Sequence, residues 1–287
     1  MKPLPPLATR LLLVAAGLLA GIYLQHRWPL GRLAADWHRQ PTPAGPSLAD
    51  LARGPAAHRL VIVVAGQSNA GNYGSTRRSA GPTVYAFADG RVYAAVDPLP
   101  GADGDGGSIW TRLGARLALT GRYDAIILAV VAEGSTRLDD WIPGGRCHPR
   151  LAETLQQLAQ AGLPADYFLW QQGETEGASP DAAGRDYGHG LLALHALARA
   201  SSPGVRFVVS RSTFGAAAAV NEQIRLAQAA AAGLAGASPG PDLDTLGPDY
   251  RRDGTHFNDR GLDAAADLWL RALSGPAQAN QPRAARP

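Results

Sequence analysis

The sequence predicts an α/β fold in which a parallel sheet is covered by helices on both faces. Three observations carry this. Four short, mostly apolar runs, 60–65, 124–131, 167–170 and 205–210, read as fully buried strands, the first of them rich in β-branched residues. Helix-length stretches lie between them, and such alternation builds a parallel sheet. The chain has 287 residues, 46% hydrophobic and 18% charged, enough apolar content for one large buried core.

The elements follow in order. The first strand, 60–65, is an unbroken apolar run that stops at Gly66. Residues 83–87 and 91–95 form a small hairpin across Asp89-Gly90, a dipeptide suited to a tight turn. A helix at Ile109–Leu119 precedes the second strand, 124–131. A helix at 151–161 leads to the third strand, and one at 184–200 leads to the fourth. Helices at 217–234 and 261–273 complete a domain taken as 58–275.

The N-terminus differs. Lys2 and Arg10 precede an uncharged stretch, 11–24, followed by Gln25, His26 and Arg27. A basic start and a short apolar run are the layout of an export signal. The stretch is shorter than the ~20 residues of a spanning helix. No small-x-small cleavage site follows promptly, and Arg27 and Trp28 suit a membrane interface. Residues 1–27 are therefore expected to be a signal or anchor, with the uncleaved reading favoured. Membrane association would run through residues 8–27, and the protein would be extracytoplasmic, periplasmic or secreted. Residues 28–57, with Pro41, Pro43, Pro46 and Pro55, read as a Pro-rich linker, and 276–287 as a disordered tail.

Composition excludes several function classes. The single cysteine, Cys147, excludes an internal disulfide framework and cysteine-clustered metal sites. The net charge of +3 comes from scattered arginines, and Lys2 is the only lysine. A nucleic-acid binder concentrates its charge on one face, so no nucleic-acid partner is expected.

Chemistry in a parallel sheet gathers beyond the carboxyl ends of the strands. After the first strand stands Gly66-Gln67-Ser68-Asn69-Ala70-Gly71, which can present a serine hydroxyl at the rim with helix-start N–H groups beside it. After the second comes Glu133-Gly134-Ser135-Thr136, then Trp141. After the third comes Trp170-Gln171-Gln172-Gly173-Glu174-Thr175-Glu176, where a glutamine amide can donate to an oxyanion and Glu174 can anchor loops. Asp253 and His256 stand three apart before the last helix, a spacing that can set a carboxylate against one imidazole nitrogen. The other six histidines lack this arrangement. Taken singly, a Ser N-cap, a loop glycine or a polar loop explains each segment. Together they supply a nucleophile, a base with its orienting acid, and oxyanion donors.

This joint pattern resembles the SGNH-hydrolase superfamily, in its sialate O-acetylesterase-like, carbohydrate-esterase branch. The four segments occur in family order across residues 60–273. The resemblance implies a three-layer α/β/α sandwich with a mostly parallel, flavodoxin-like sheet, and no metal or organic cofactor. It implies Ser68 as nucleophile, His256 as base and Asp253 as its orienting acid. It implies an oxyanion hole of the Ser68 and Gly134 N–H groups and the Gln172 amide, with Gln67, Asn69 and Glu174 in support. The implied reaction is removal of acetyl or other short acyl groups from a carbohydrate. Two departures bear on substrate preference: Glu176 stands where the branch often has Asp, and Glu133 stands before Gly134 where it often has a second glycine. An acetyltransferase acting on an exopolysaccharide shares the same acyl-enzyme step. A catalytically silent carbohydrate-binding protein is disfavoured by the complete Ser, His and Asp set.

Overall fold

A computed structural model of the chain describes residues 46–55, 58–179, 184–215 and 220–274. The expected anchor at 1–27 and tail at 276–287 lie outside the described residues, as does most of the expected linker. One part of that linker is folded. Helix α1, Leu48–Arg53, is opened by a capping box in which Asp50 N–H donates to Ser47 Oγ at 3.1 Å. Leu51 is buried, and its carbonyl accepts from Arg59 at 2.7 Å.

Among the described residues seven strands form one sheet: β1 Arg59–Gly66, β2 Val84–Ala88, β3 Arg91–Ala94, β4 Ala125–Ala132, β5 Tyr167–Gln171, β6 Arg206–Arg211 and β7 Ala237–Asp242. Their order is β3-β2-β4-β1-β5-β6-β7, and only the β2–β3 pair is antiparallel. Setting that hairpin aside leaves β4-β1-β5-β6-β7, which is the flavodoxin-like order 2-1-3-4-5. The hairpin turn is the expected one: Asp89 and Gly90 both have positive φ, at 50° and 69°.

The helices are α2 Ile109–Leu119, α3 His148–Gln160, α4 Glu174–Gly177, α5 Gly184–Ser201, α6 Glu222–Ala230 and α7 Asp259–Leu273. Every residue of β1 is buried, and its side chains alternate between two cores. Val61, Val63 and Ala65 pack with Leu151 and Leu155 of α3, Leu191 and Leu194 of α5, and Ile224 of α6. Leu60, Ile62 and Val64 pack with Ile109, Trp110 and Leu113 of α2 and with Leu262, Ala265 and Trp269 of α7. A strand buried on both faces needs a continuous apolar run, and each such side chain contributes about 1.5–3 kcal/mol on burial. This is the expected three-layer arrangement.

The helix expected at 217–234 is shorter: α6 ends at Ala230 and gives way to a tight turn, Ala231–Gly233. Strand β7 was not expected. Its sequence, Ala-Ser-Pro-Gly-Pro-Asp, has no strand propensity. It pairs in parallel with β6 at the sheet edge, the place where proline is tolerated because one side of the strand needs no ladder donor.

On one side of the sheet, α2 and α7 are joined by an ionic ladder. Asp259, Asp263 and Asp267 recur every four residues and so share one face of α7. Arg112, whose side chain is fully buried, meets Asp259 at 3.0 Å and Asp263 at 3.5 Å. Arg116 meets Asp263 at 3.1 Å and Asp267 at 2.6 Å, and Arg78 also reaches Asp263. Arg112→Ala is expected to lower stability by about 2–3 kcal/mol, read as a shift in the urea midpoint. That is less than the ~3–5 kcal/mol of a wholly buried pair, because its aspartates are partly exposed. A shift below the error of the measurement would show that solvent already screens the ladder.

Candidate active site

The register of the central strands sets where the loops emerge. Gly66 at the end of β1 lies opposite Ala132 of β4 on one side and Gln171 of β5 on the other. The three following loops, at Gln67, Glu133 and Gln172, therefore leave the sheet side by side. This is the point where the strand order reverses direction, the crevice in which sheets of this topology bind ligands.

Gly66 has φ +154°, and a Cβ there would lie 1.9 Å from the Gln171 carbonyl oxygen. Gly66→Ala must push β1 and β5 apart at the site. It is expected to lower stability by about 3 kcal/mol or more, seen as a fall in Tm, and to reduce activity with it. Wild-type Tm in this variant would contradict the close approach of the two strands. Beyond Gly66 the helix expected behind the serine is a single tight turn, Ser68–Ala70. Ser68 is largely buried. The Ser68 and Asn69 N–H groups donate to nothing among the described residues.

Asn69 ties three loops together. Its Nδ2 donates to Glu174 Oε1 at 2.8 Å and to the Thr255 carbonyl at 3.2 Å. Its own carbonyl accepts from Gln171 Nε2 at 2.9 Å. Gln67 Oε1 accepts from Gln172 Nε2 at 3.0 Å and from Thr175 N–H at 3.2 Å. Glu174 Oε1 also accepts from Ser212 Oγ at 3.0 Å, whereas its buried Oε2 has no partner among the described residues. Burial pushes the Glu174 carboxyl up, opposed by its bond from Asn69 and by the charge of Arg251. All three expected supporting residues thus hold loops in place.

His256 and Asp253 meet as their spacing suggests. His256 Nδ1 lies 2.7 Å from Asp253 Oδ2, and His256 N–H donates to Asp253 Oδ1 at 2.7 Å. Thr255 N–H donates to Oδ1 as well, at 3.0 Å. Burial pushes the Asp253 carboxyl up, but the His256 N–H, the His256 ring and the Thr255 N–H outweigh it and hold it down at about 2. With Nδ1 donating to this carboxylate, Nε2 carries the free lone pair. No hydrogen bond joins Ser68 Oγ to His256 among the described residues; their loops are joined through Asn69 and Thr255. Arg251 braces the Asp253–His256 turn, donating to the carbonyls of Leu246, Thr255 and Leu243 while its guanidinium lies 3.8 Å over the Phe257 ring.

Two expected oxyanion donors are placed differently. The Gln172 side chain is fully buried. Its Nε2 faces Gln67 Oε1, the Thr136 carbonyl at 3.1 Å and Glu176 Oε2, three acceptors for two hydrogens, while its Oε1 faces the Tyr187 hydroxyl at 2.9 Å. Turning the amide over would set its oxygen against three acceptors, so this orientation is forced. Gln172 is a buried loop anchor, not a free donor. The Gly134 N–H is also engaged, donating to Asp103 Oδ2 at 2.8 Å. Glu176, the first departure from the pattern the sequence resembles, is buried and accepts from Leu138 N–H at 2.6 Å, which pins the loop after β4. Glu133, the second, pairs with Arg146.

Trp141 and Trp170 are fully buried and meet edge to face at 6.0 Å. They belong to the core. Burial, with Glu133 beside it, pushes the Cys147 thiol up to about 12, so it stays protonated near neutrality. Sequence reasoning missed Tyr73 and Asp103. The Tyr73 ring stacks on the His256 imidazole with centroids 5.0 Å apart, and its hydroxyl donates to Asp103 Oδ2 at 2.9 Å. Their only sequence signal is position, in the loops that follow Ser68 and precede α2.

No protein-family model matches the sequence, and no curated protein matches it. Solved structures do match. An Arabidopsis thaliana protein superposes with a TM-score of 0.60 at 19% identity, over 76% of this chain and 99% of its own. A carbohydrate acetylesterase from Xanthomonas citri gives 0.51 at 14% identity, over 74% of this chain and 55% of its own. A candidate GDSL-like lipase from Parabacteroides merdae gives 0.51 at 13% identity, over 75% and 95%. At these identities the likeness is one of fold.

Proposed function

We propose that this chain, which has the three-layer fold of the GDSL/SGNH acylhydrolases, is a serine esterase that removes acetyl or other short acyl groups from a carbohydrate. The observation that carries the reading is the 2.7 Å pair of His256 and Asp253, tied through Asn69 to the loop that bears Ser68. The fold likeness to a carbohydrate acetylesterase supports the substrate class.

In the proposed reaction Ser68 Oγ attacks the ester carbonyl carbon while His256 Nε2 takes the hydroxyl proton. The carbonyl oxygen becomes an oxyanion, held by the Ser68 and Asn69 N–H groups that start the turn. The ester C–O bond then breaks, and His256 returns the proton to the departing sugar oxygen. Asp253 holds the imidazole in the required tautomer and stabilises its cationic form. Water then attacks the acyl carbon while His256 takes its proton, the bond from that carbon to Ser68 Oγ breaks, and His256 returns the proton to Ser68 Oγ as the carboxylic acid leaves. The test is acetate release from a set of acetylated sugars by purified protein, with and without a free sugar acceptor. Acetate release is the expected result. Transfer to the acceptor in place of release would identify a transferase, and neither outcome with any ester would overturn the reading.

The apolar stretch at 11–24 supports an exported or anchored enzyme acting outside the cytoplasm. Cell fractionation tests this, and full-length protein found only in the soluble cytoplasm would sink it. Among the described residues no helix is long and apolar enough to cross a membrane.

A further inference from the structure

We infer that Tyr73 is a positioning residue for the proposed reaction, acting on the imidazole of His256 through a flat aromatic ring whose hydroxyl is bonded to Asp103. The inference rests on the esterase reading above.

The imidazole is held at one point by chemistry already described, the Nδ1 contact to Asp253. One hydrogen bond fixes a direction but leaves the ring free to rotate about it, and Nε2 must point at Ser68. Tyr73 supplies the second restraint. Its ring lies nearly parallel to the imidazole, at an interplanar angle of 22° and a centroid distance of 5.0 Å. Such a face also attracts the cationic imidazole formed in the reaction, through the negative face of the aromatic ring.

The Tyr73 ring is itself tethered. Its hydroxyl donates to Asp103 Oδ2 at 2.9 Å, and the same oxygen accepts Gly134 N–H at 2.8 Å. Burial and the Asp103 carboxylate push the Tyr73 hydroxyl well above its ordinary value, so it remains a donor. The space is tight as well as bonded: a Cβ on Gly134 would lie 2.7 Å from the Tyr73 hydroxyl oxygen. Asp103 comes from the loop before α2, and its N–H donates to the Ala132 carbonyl at 3.1 Å, which anchors it to the end of β4. The orientation of the base is thereby referred to the central sheet through Tyr73, Asp103 and β4.

The test compares Tyr73→Leu, which removes the ring, with Tyr73→Phe, which keeps the ring and removes the tether. Hydrolysis of 4-nitrophenyl acetate gives kcat and KM, and labelling of Ser68 by a fluorophosphonate gives an independent measure of nucleophile activation. Misplacing a catalytic group by about 1 Å can cost about 100-fold in rate. Tyr73→Leu is expected to lose about 10- to 100-fold in kcat and in labelling rate, with KM changed less than about threefold. Tyr73→Phe should recover most of the loss. If Tyr73→Leu does not fold, as judged by its thermal melt, Tyr73→Met replaces it. Unchanged kcat in the ring-deleted variant would overturn the inference, as would a rise in KM alone, which would make Tyr73 a substrate contact. Tyr73→Phe falling as far as Tyr73→Leu would overturn the role of the ring. Failure of wild-type protein to label at Ser68 would instead sink the esterase reading, and this inference with it.

Discussion

Ser68→Ala is expected to remove turnover of 4-nitrophenyl acetate almost completely, by a factor on the order of 10⁶, the scale seen when a serine nucleophile is deleted from a triad. The folded state should be retained. Ser68 is largely buried in its tight turn, and the turn is closed by backbone bonds from Ala70 N–H and Gly71 N–H that the substitution leaves in place. Thermal melting of the variant should therefore overlay that of the wild type. The same change should abolish labelling by a fluorophosphonate. A variant that still turned over ester at the wild-type rate would show that the nucleophile is another group, and Cys147 is a poor alternative because burial keeps its thiol protonated.

Asp253→Asn is expected to lower kcat by about 10⁴-fold, because an amide can stabilise the wrong imidazole tautomer and cannot offset the charge of the protonated ring. The carboxyl is held at about 2, by bonds from His256 and Thr255 that outweigh its partial burial, so it is ionised wherever the enzyme would be assayed. The sign of its effect on stability follows. A carboxyl depressed in the folded state stabilises above its ordinary pKa near 4, and that contribution disappears as the pH falls toward 2. The difference in stability between wild type and Asp253→Asn should narrow between about pH 4 and pH 2. A variant with kcat within a few-fold of wild type would refute the orienting role. A stability gap that widened on acidification would refute the sign.

The central strands were legible because burial on both faces demands an unbroken apolar run, and β1, β4, β5 and β6 have one. The hairpin was legible because Asp89-Gly90 meets the turn's demand for positive φ at both positions. Strand β7 was not, since its prolines and glycine carry no strand pattern. It exists because β6 presents an open row of backbone partners. Helix α1 was hidden inside a Pro-rich stretch, although its capping box, Ser47 with Asp50 three residues on, was in plain view.

The site divides along the same line. Asp253 and His256 are three residues apart, and local backbone geometry is enough to bring them together. The placing of Ser68, Gly134 and Gln172 on one rim follows from strand order, because loops after adjacent parallel strands emerge together. Whether a donor on that rim is free is a different question. Gly134 N–H is taken by a carboxylate 31 residues away, and Gln172 Nε2 by an acceptor 105 residues away. The ring against His256 comes from the loop beyond the nucleophile. A residue type states how many hydrogen bonds a group can make, and its spacing from its neighbours can state the local ones. Which distant partner satisfies the rest is settled when the sheet brings its loops into contact, since a buried donor takes whatever acceptor the packing sets before it.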